Sequence, residues 1–469
     1  MGNFIVQLEF VSVTKVSNSH NFLLSYLERK HGVKKETLLY SKAEELLQRL
    51  WQGSVCIQAE ESLANFEAVG RKNEIRPLIF DDGNLYIQRY FVYQTRILKK
   101  ITELCENKKL HIITGGPGTG KTTSLAKILK DRLSEKILLA APTGKAALRM
   151  RESLSRQGIE LEAKTLHRLL GYVHLSVNFK HTRENPLDAK IIAIDECSMI
   201  DLPMMSKLLE AVPSDCDLYL LGDKNQLASV EAGSVFADIC RKYKENKTVY
   251  SELEKNYRAK DAPGIAALSR QILEKSVKDF NNENVRHFGA FELLDWHKEL
   301  FNAKNPEEAL GFLKTFQILC ATKVGKNGTG SINEKLCELA RSENAAFTPI
   351  IITENSYQLN LFNGDVGVKD KRQAYFYVGN EIKAFSTLTL PEHDSAFAIT
   401  IHKSQGSEYE RVAVVYPSKE NDEDEKMFLT KELLYTAITR AKRECILFGP
   451  KEMLLNSCKR EIHRASGIR

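Results

Sequence analysis

No apolar stretch in the sequence approaches the roughly 20 residues that a helix needs to cross a bilayer. The first residues, Met1, Gly2, Asn3, Phe4, Ile5 and Val6, lack the basic region and apolar core of a secretory signal, and position 6 is not the Ser or Thr of a myristoylation site. The nine cysteines form no CxxC pair and no Cys/His cluster at ligand spacing; that argues against a zinc module or a disulfide framework and fits a reducing cytoplasm. No repeat of solenoid length is present. Nor does charge of one sign dominate: the net charge of +6 is compatible with a nucleic-acid partner without specifying one. What the chain has is bulk. Its 469 residues, 43% of them hydrophobic, suffice for several packed cores in about three or four domains.

Two motifs carry chemistry. Gly115, Gly116, Pro117, Gly118, Thr119, Gly120, Lys121 and Thr122 form a complete GxxxxGK[ST] loop, with the apolar Leu110, Ile112 and Ile113 before it and a helix-forming stretch beginning at Thr123 after it. In that context the glycines let backbone N–H groups crowd phosphate oxygens and the helix N-terminus adds its positive dipole end. Lys121 then neutralises β/γ-phosphate charge, and Thr122 offers a hydroxyl to Mg²⁺. The second motif is an acidic pair, Asp195 and Glu196, directly after the buried-type strand residues Ile191, Ile192, Ala193 and Ile194. An α/β ATPase needs one carboxylate near the metal, here Asp195, and one near the attacking water, here Glu196.

The organisation along the chain follows from periodicity. Residues 1–88 carry no chemical motif, and helical spacing of apolar residues in 21–30 and 43–51 predicts a small, mainly helical docking domain. From 89 to 262, strands alternate with helices, the mark of a parallel sheet covered on both faces. Within it Val173, Leu175, Val177 and Phe179 alternate before a turn-rich stretch, which predicts an inserted β-hairpin at about 172–187. A second alternating region spans 263–469 and is interrupted at about 347–392 by glycine-bounded strands, with Asn363, Gly364, Gly379 and Asn380 at the turns, expected to form a small antiparallel barrel. Residues 420–426 read as an acidic, solvated loop.

Ala140-Ala-Pro-Thr-Gly-Lys-Ala146, Thr165-Leu-His-Arg-Leu-Leu-Gly171, Asp195-Glu-Cys-Ser-Met-Ile-Asp201 and Leu221-Gly-Asp-Lys-Asn-Gln-Leu-Ala-Ser-Val-Glu-Ala-Gly233 resemble successive motifs of superfamily 1 B-type DNA helicases. Lys255-Asn-Tyr-Arg258, Asn363-Gly-Asp365, Ile401-His-Lys-Ser-Gln-Gly-Ser-Glu408 and Tyr435-Thr-Ala-Ile-Thr-Arg-Ala441 continue the series in order, from about 110 to 449. Their wording is similar to that of the RecD family, the alpha subunit of exodeoxyribonuclease V. The resemblance implies an α/β fold of two RecA-like P-loop motor domains with parallel sheets, the barrel insert being SH3-like. It also implies an MgATP-driven helicase moving 5′ to 3′ on DNA, acting in double-strand break repair and recombination with RecB- and RecC-like subunits.

Site residues carried over by the resemblance are the γ-phosphate sensor Gln226 and two arginine fingers, Arg258 and Arg440. These join Lys121, Asp195 and Glu196 as the catalytic set, with nucleotide held by residues 115–122 and Thr123, and metal by Thr122 and Asp195. A guanidinium is forked and permanently charged, suited to the charge spread over a transferring phosphoryl group. Pro142, Thr143, His167, Thr400, His402, Lys403, Ser404 and Gln405 match motifs that lie along single-stranded DNA, where hydroxyls and amides contact phosphates without reading sequence. Lys145 and Lys403 are further phosphate candidates, while His167 and His402 are open to either reading, strand contact or internal histidine. Gln94 is a candidate adenine contact that its surroundings do not settle. The N-terminal part is too short, and too poor in helix-hairpin-helix glycines, to resemble the front end of stand-alone RecD-like helicases. No carboxylate cluster of nuclease type is present, so DNA cutting is expected in a partner chain.

Overall fold

The computed structural model describes residues 16–173, 176, 178–292, 296–356, 358–378, 381–418 and 428–468; of residues 16–21, 258 and 259 it describes the backbone alone. Two helices, Val16–His31 and Leu38–Trp51, precede strands β1 (Cys56–Gln58), β2 (Val69–Gly70), β3 (Leu78–Asp81) and β4 (Asn84–Ile87), which form a sheet of order β1-β4-β3-β2. The segment expected to be mainly helical thus carries a four-stranded sheet beside its helices. Its strands are two to four residues long and buried on nearly every residue, so no alternation marks them. One local signal was there. Asp82 and Gly83 join β3 to β4 with φ of 47° and 70°, the two left-handed residues of a type I′ hairpin turn.

The first large sheet comprises β5 (Leu110–Gly115), β6 (Ile137–Ala141), β7 (Ala163–Thr165), β8 (Ile191–Ile194), β9 (Asp217–Gly222) and β10 (Tyr250–Leu253), in the order β10-β5-β9-β8-β6-β7 with every pairing parallel. Its central strands are apolar on successive residues because both faces are covered. Ile112, Ile192, Ile194, Leu218 and Leu220 face a core that continues into the N-terminal segment through Leu39, Leu78 and Ile97. Ile113, Ile191, Ala193 and Leu221 face the opposite core with Leu125 and Leu129 of the helix Lys121–Lys130.

The second large sheet repeats the plan with β11 (Val285–Phe288) and β12 (Phe316–Cys320), then, beyond an insert, three further strands. The insert is β13 (Thr348–Ile352), β14 (Val366–Lys369), β15 (Gln373–Val378), β16 (Glu381–Ser386) and β17 (His393–Ser395), antiparallel throughout. Strands β18 (Ala398–Thr400), β19 (Tyr409–Val415) and β20 (Ala441–Phe448) complete the parallel order β11-β20-β19-β12-β18. The insert's sheet runs β16-β15-β14-β13-β17, and among the described residues no pairing joins β16 to β17 to close it as a barrel. In the expected hairpin at 172–187 a single antiparallel bridge, Tyr172 to Phe179, is present; Leu175 and Val177 lie outside the described residues. So do Gly379, Asn380 and the acidic 420–426.

The C-terminal segment straps the second sheet's domain to the first. After the helix Lys451–Lys459, Glu461 pairs with Lys431 and with Lys275 at 3.0 Å. Arg464 then donates to the carbonyls of Ser229, Glu231 and Gly233 at 2.7, 3.1 and 3.0 Å, and Val55 N–H donates to Ala465 O at 2.7 Å. Among the described residues no helix is long and apolar enough to cross a membrane. Leu220, fully buried on the strand between β5 and β8, tests the first core: Leu220→Ala is expected to lower the free energy of unfolding by about 2–5 kcal/mol, read from denaturant titration.

Candidate nucleotide cleft and strand path

The phosphate loop leaves the C-terminal end of β5 and enters the helix Lys121–Lys130. Gly118 and Gly120 have φ of 77° and 83°, a left-handed conformation that L side chains rarely adopt, which is why glycine stands there. At Gly115 a Cβ would lie 2.6 Å from Thr119 Oγ1 and 2.8 Å from Leu253 O, so the turn admits no side chain. Lys121 Nζ donates to Gly115 O at 2.7 Å and Gly116 O at 3.2 Å, which holds the ammonium over the loop.

The acidic pair follows β8. Thr122 Oγ1 is 3.5 Å from Asp195 Oδ2, and the Glu196 N–H donates to Asp195 Oδ1 at 2.8 Å. Glu196 itself has φ of 53°, a costly conformation for a residue with a side chain and one that clusters at functional sites. Burial, then the neighbouring Glu196 carboxylate, push the Asp195 carboxyl up; Lys121 opposes them. After β9, the buried Asp223 accepts hydrogen bonds from Asn225 N–H at 3.0 Å, Gln226 Nε2 at 3.3 Å and Tyr435 Oη at 2.9 Å.

Tyr435 belongs to the other lobe, on the helix Lys431–Ile438, and Arg440 follows that helix. Arg440 is 1% exposed and donates Nε to Thr436 O at 3.1 Å and NH1 to Ser407 O at 3.3 Å. Among the described residues no carboxylate forms an ion pair with it, although Glu196 and Glu408 are near enough to favour its charge. Between the lobes lies a cleft of about 1040 Å³, lined by Lys121, Thr122, Asp195, Glu196, Gln226 and Arg440. Six expected residues thus meet in one space. Arg258 lies outside the described side chains, but its neighbour Tyr257 donates N–H to Gly118 O at 3.0 Å, which sets the backbone of 257–258 against the phosphate loop.

Gln94 is elsewhere. It is buried, and its Oε1 accepts the Gly467 N–H at 2.7 Å, so it ties down the C-terminal strap and does not line the cleft. The strand candidates divide. Thr143 caps the helix Gly144–Ser155, its Oγ1 accepting from Ala146 N–H at 3.2 Å, with Pro142 beside it; His167 is exposed on the helix Leu166–Leu170. Thr400 Oγ1 accepts from Lys403 N–H at 3.2 Å, Lys403 pairs with Asp394 at 3.3 Å, and burial lowers the basicity of His402. Ser404 and Gln405 are turned inward instead: Ser404 Oγ donates to Ile401 O at 2.6 Å and Gln405 Nε2 to Leu227 O at 2.9 Å. Both were expected along the strand; here they hold the segment to the protein. Lys145 lies close to Asp365 of the insert, and Phe362 of the same loop sits under the Arg168 guanidinium at 4.8 Å and against Gly144.

Residue-level reasoning missed three participants. Asp223 and Tyr435 stand inside helicase-like motifs whose residue types do not reveal their contact, and Arg149, which pairs with Glu408 at 2.7 Å, stands in none. Only a long-range contact reveals Arg149.

A phosphate loop and an acidic pair on one parallel sheet, facing a buried arginine from a second parallel sheet, define a two-lobed P-loop nucleoside triphosphatase. The AAA domain family matches residues 99–232 and the UvrD-like helicase C-terminal domain family residues 395–448. The RecBCD enzyme subunit RecD of Mycolicibacterium smegmatis is 36% identical over 411 residues, 77% of this chain and 72% of that one. The subunit of the same name from Haemophilus influenzae is 30% identical over 451 residues, 76% of this chain and 69% of its own. The ATP-dependent RecD2 DNA helicase of Deinococcus radiodurans is 30% identical over 71% of this chain but only 46% of its own length. The chain belongs to the RecD family.

Tyr435→Phe deletes one of the three donors to the buried Asp223. It is expected to cost about 1–3 kcal/mol of stability, measured by denaturant titration, and to weaken the junction of the two lobes.

Proposed function

We propose that this chain is an ATP-dependent 5′–3′ DNA helicase, acting as the RecD-like subunit of a RecBCD-type complex in double-strand break repair and recombination. The observation that carries the reading is the cleft itself, where Lys121, Thr122, Asp195 and Glu196 of one lobe face Arg440 of the other. In it the loop amides and Lys121 bind the triphosphate, Glu196 orients the attacking water, Gln226 senses the γ-phosphate, and Arg440, with Arg258 as the second finger, stabilises the charge on the phosphoryl group. Thr122 and Asp195 offer the few hard oxygen donors that suit Mg²⁺, which when bound would neutralise charge on the β- and γ-phosphates. Movement of one lobe against the other would advance a strand lying along Pro142, Thr143, His167, Thr400, His402 and Lys403.

The finer architecture belongs to the same proposal. Residues 1–88 act as a docking domain, 89–262 and 263–469 are the RecA-like motor domains, and the antiparallel insert is SH3-like. Nuclease activity resides in a partner chain. A cytoplasmic setting is supported by nine cysteines that all stand unpaired. A stand-alone helicase is the second reading, favoured by a cleft that takes every one of its groups from this single chain.

Lys121→Gln is expected to reduce ATP hydrolysis by at least about a hundredfold with an unchanged circular dichroism spectrum; retained turnover would refute the cleft as the site of hydrolysis. Affinity capture of the native protein from its own cells is expected to bring RecB- and RecC-like chains with it. Robust unwinding by the purified chain alone, and no such partners, would favour the stand-alone reading. A duplex with a 5′ tail is expected to be unwound in preference to one with a 3′ tail.

A further inference from the structure

We propose that Arg149 is a positioning residue that makes hydrolysis depend on the bound strand, by clasping the 406–408 turn of the second lobe to the helix Gly144–Ser155 of the first. The inference rests on the helicase reading and goes beyond it. Arg149 NH1 donates to Gly406 O at 3.0 Å while its NH2 pairs with Glu408 Oε1 at 2.7 Å. One planar fork thus holds a backbone carbonyl and a carboxylate of the opposite lobe together, which a lysine ammonium cannot do with the same geometry. The Glu408 side chain is 11% exposed and that of Arg149 37%, so the pair is half-buried and only partly screened by solvent.

The position of the clasp gives it its role. The helix that carries Arg149 begins at Thr143, its N-cap and a candidate strand contact. The turn that it holds follows directly on the candidate strand segment 400–403. Gly406 has φ of 71°, and a Cβ there would stand 3.6 Å from Thr143 Oγ1 and 3.7 Å from Ala146 Cβ, so turn and helix start lie against each other. Every residue of that turn has a partner in the cleft machinery. Gln405 holds Leu227 O beside Gln226, Gly406 and Glu408 hold Arg149, and Ser407 O accepts from Arg440. Arg149 also feels Asp195 and Glu196, whose negative charges favour its own, so it faces the acidic pair as well as the turn. A displacement of 400–403 or of Thr143 by a strand is therefore passed to Arg440 and Gln226 through one turn, and Arg149 fixes that turn's distance from the acidic wall. Where the turn links strand binding to nucleotide binding, that coupling is reciprocal, so the same residue also makes strand affinity depend on the nucleotide.

The test compares wild type with Arg149→Ala, Arg149→Lys and Glu408→Gln, using oligothymidylate as the strand. Hydrolysis is followed with and without the strand, and strand affinity is measured in ADP and in a non-hydrolysable ATP analogue. Arg149→Ala is expected to cut the fold-stimulation of hydrolysis by the strand about 5- to 50-fold and to flatten the difference in strand affinity between the two nucleotides. Arg149→Lys and Glu408→Gln, which keep part of the clasp, are expected to fall between, and they carry the test should Arg149→Ala fail to fold. The inference is overturned if the variants keep wild-type stimulation, or if hydrolysis falls equally with and without the strand. A wild type whose hydrolysis no strand stimulates overturns the helicase reading itself, an outcome visible before any variant is made.

Discussion

The structure is organised around charge that is gathered at one cleft and only partly neutralised there. Lys121, Asp195, Glu196, Arg149 and Arg440 all line one cleft, and Asp223 lies buried at its edge. An unpaired buried charge is strongly destabilising, so the buried Arg440 and Asp223 need hydrogen bonds or a ligand to complete their surroundings. Lys121 is held by two loop carbonyls, Arg440 by two carbonyls of its own lobe, and Asp223 by donors from both lobes. None of these arrangements supplies the cations with a full complement of anionic partners. A polyphosphate does, and that makes the closed cleft complementary to a bound triphosphate.

Parallel sheets explain how such a set is assembled from distant parts of the chain. The phosphate loop, the acidic pair and the Asp223–Gln226 turn leave the C-terminal ends of β5, β8 and β9, which are neighbours in the order β5-β9-β8. In an open α/β sheet, ligands bind beyond those ends. The strands are held in register by their parallel backbone ladders and by cores on both faces; a rigid base therefore carries loops rich in glycine and acid that would not fold by themselves. The second lobe presents its residues from the end of a helix and from the turn before β19.

What the sequence made legible follows from the range of the interactions involved. The phosphate loop could be read because its chemistry is local: glycine at 118 and 120 is needed for the backbone, and Lys121 and Thr122 are fixed by the helix that follows. Strands β8 and β9 could be read from continuous apolar runs. The N-terminal sheet could not, since its short and nearly wholly buried strands have no period, and its one clear local signal is the Asp82-Gly83 turn. Ser404 and Gln405 looked like strand contacts because residue type cannot tell an outward hydroxyl or amide from one bonded inward. The partners that place Gln94 and Arg149 include residues more than two hundred positions away, Gly467 in one case and Gly406 and Glu408 in the other.

The side of the molecule behind the cleft is also joined, and this restricts how the lobes can move. A cavity of about 810 Å³ lies between the N-terminal segment, the Asp223–Gln226 turn and the strap that carries Arg464. Gln226 lines both this cavity and the nucleotide cleft, so its turn forms the partition between them. Arg464 binds three carbonyls at 229–233, a few residues beyond that turn, and Ala465 accepts from Val55 in the N-terminal segment. Free separation of the lobes would break these bonds together with Tyr435–Asp223 and Gln405–Leu227. A hinge motion about the strap would leave the strap's own contacts intact, so the contacts away from it, those of Arg149 to Gly406 and Glu408 among them, are the ones that such a motion would break.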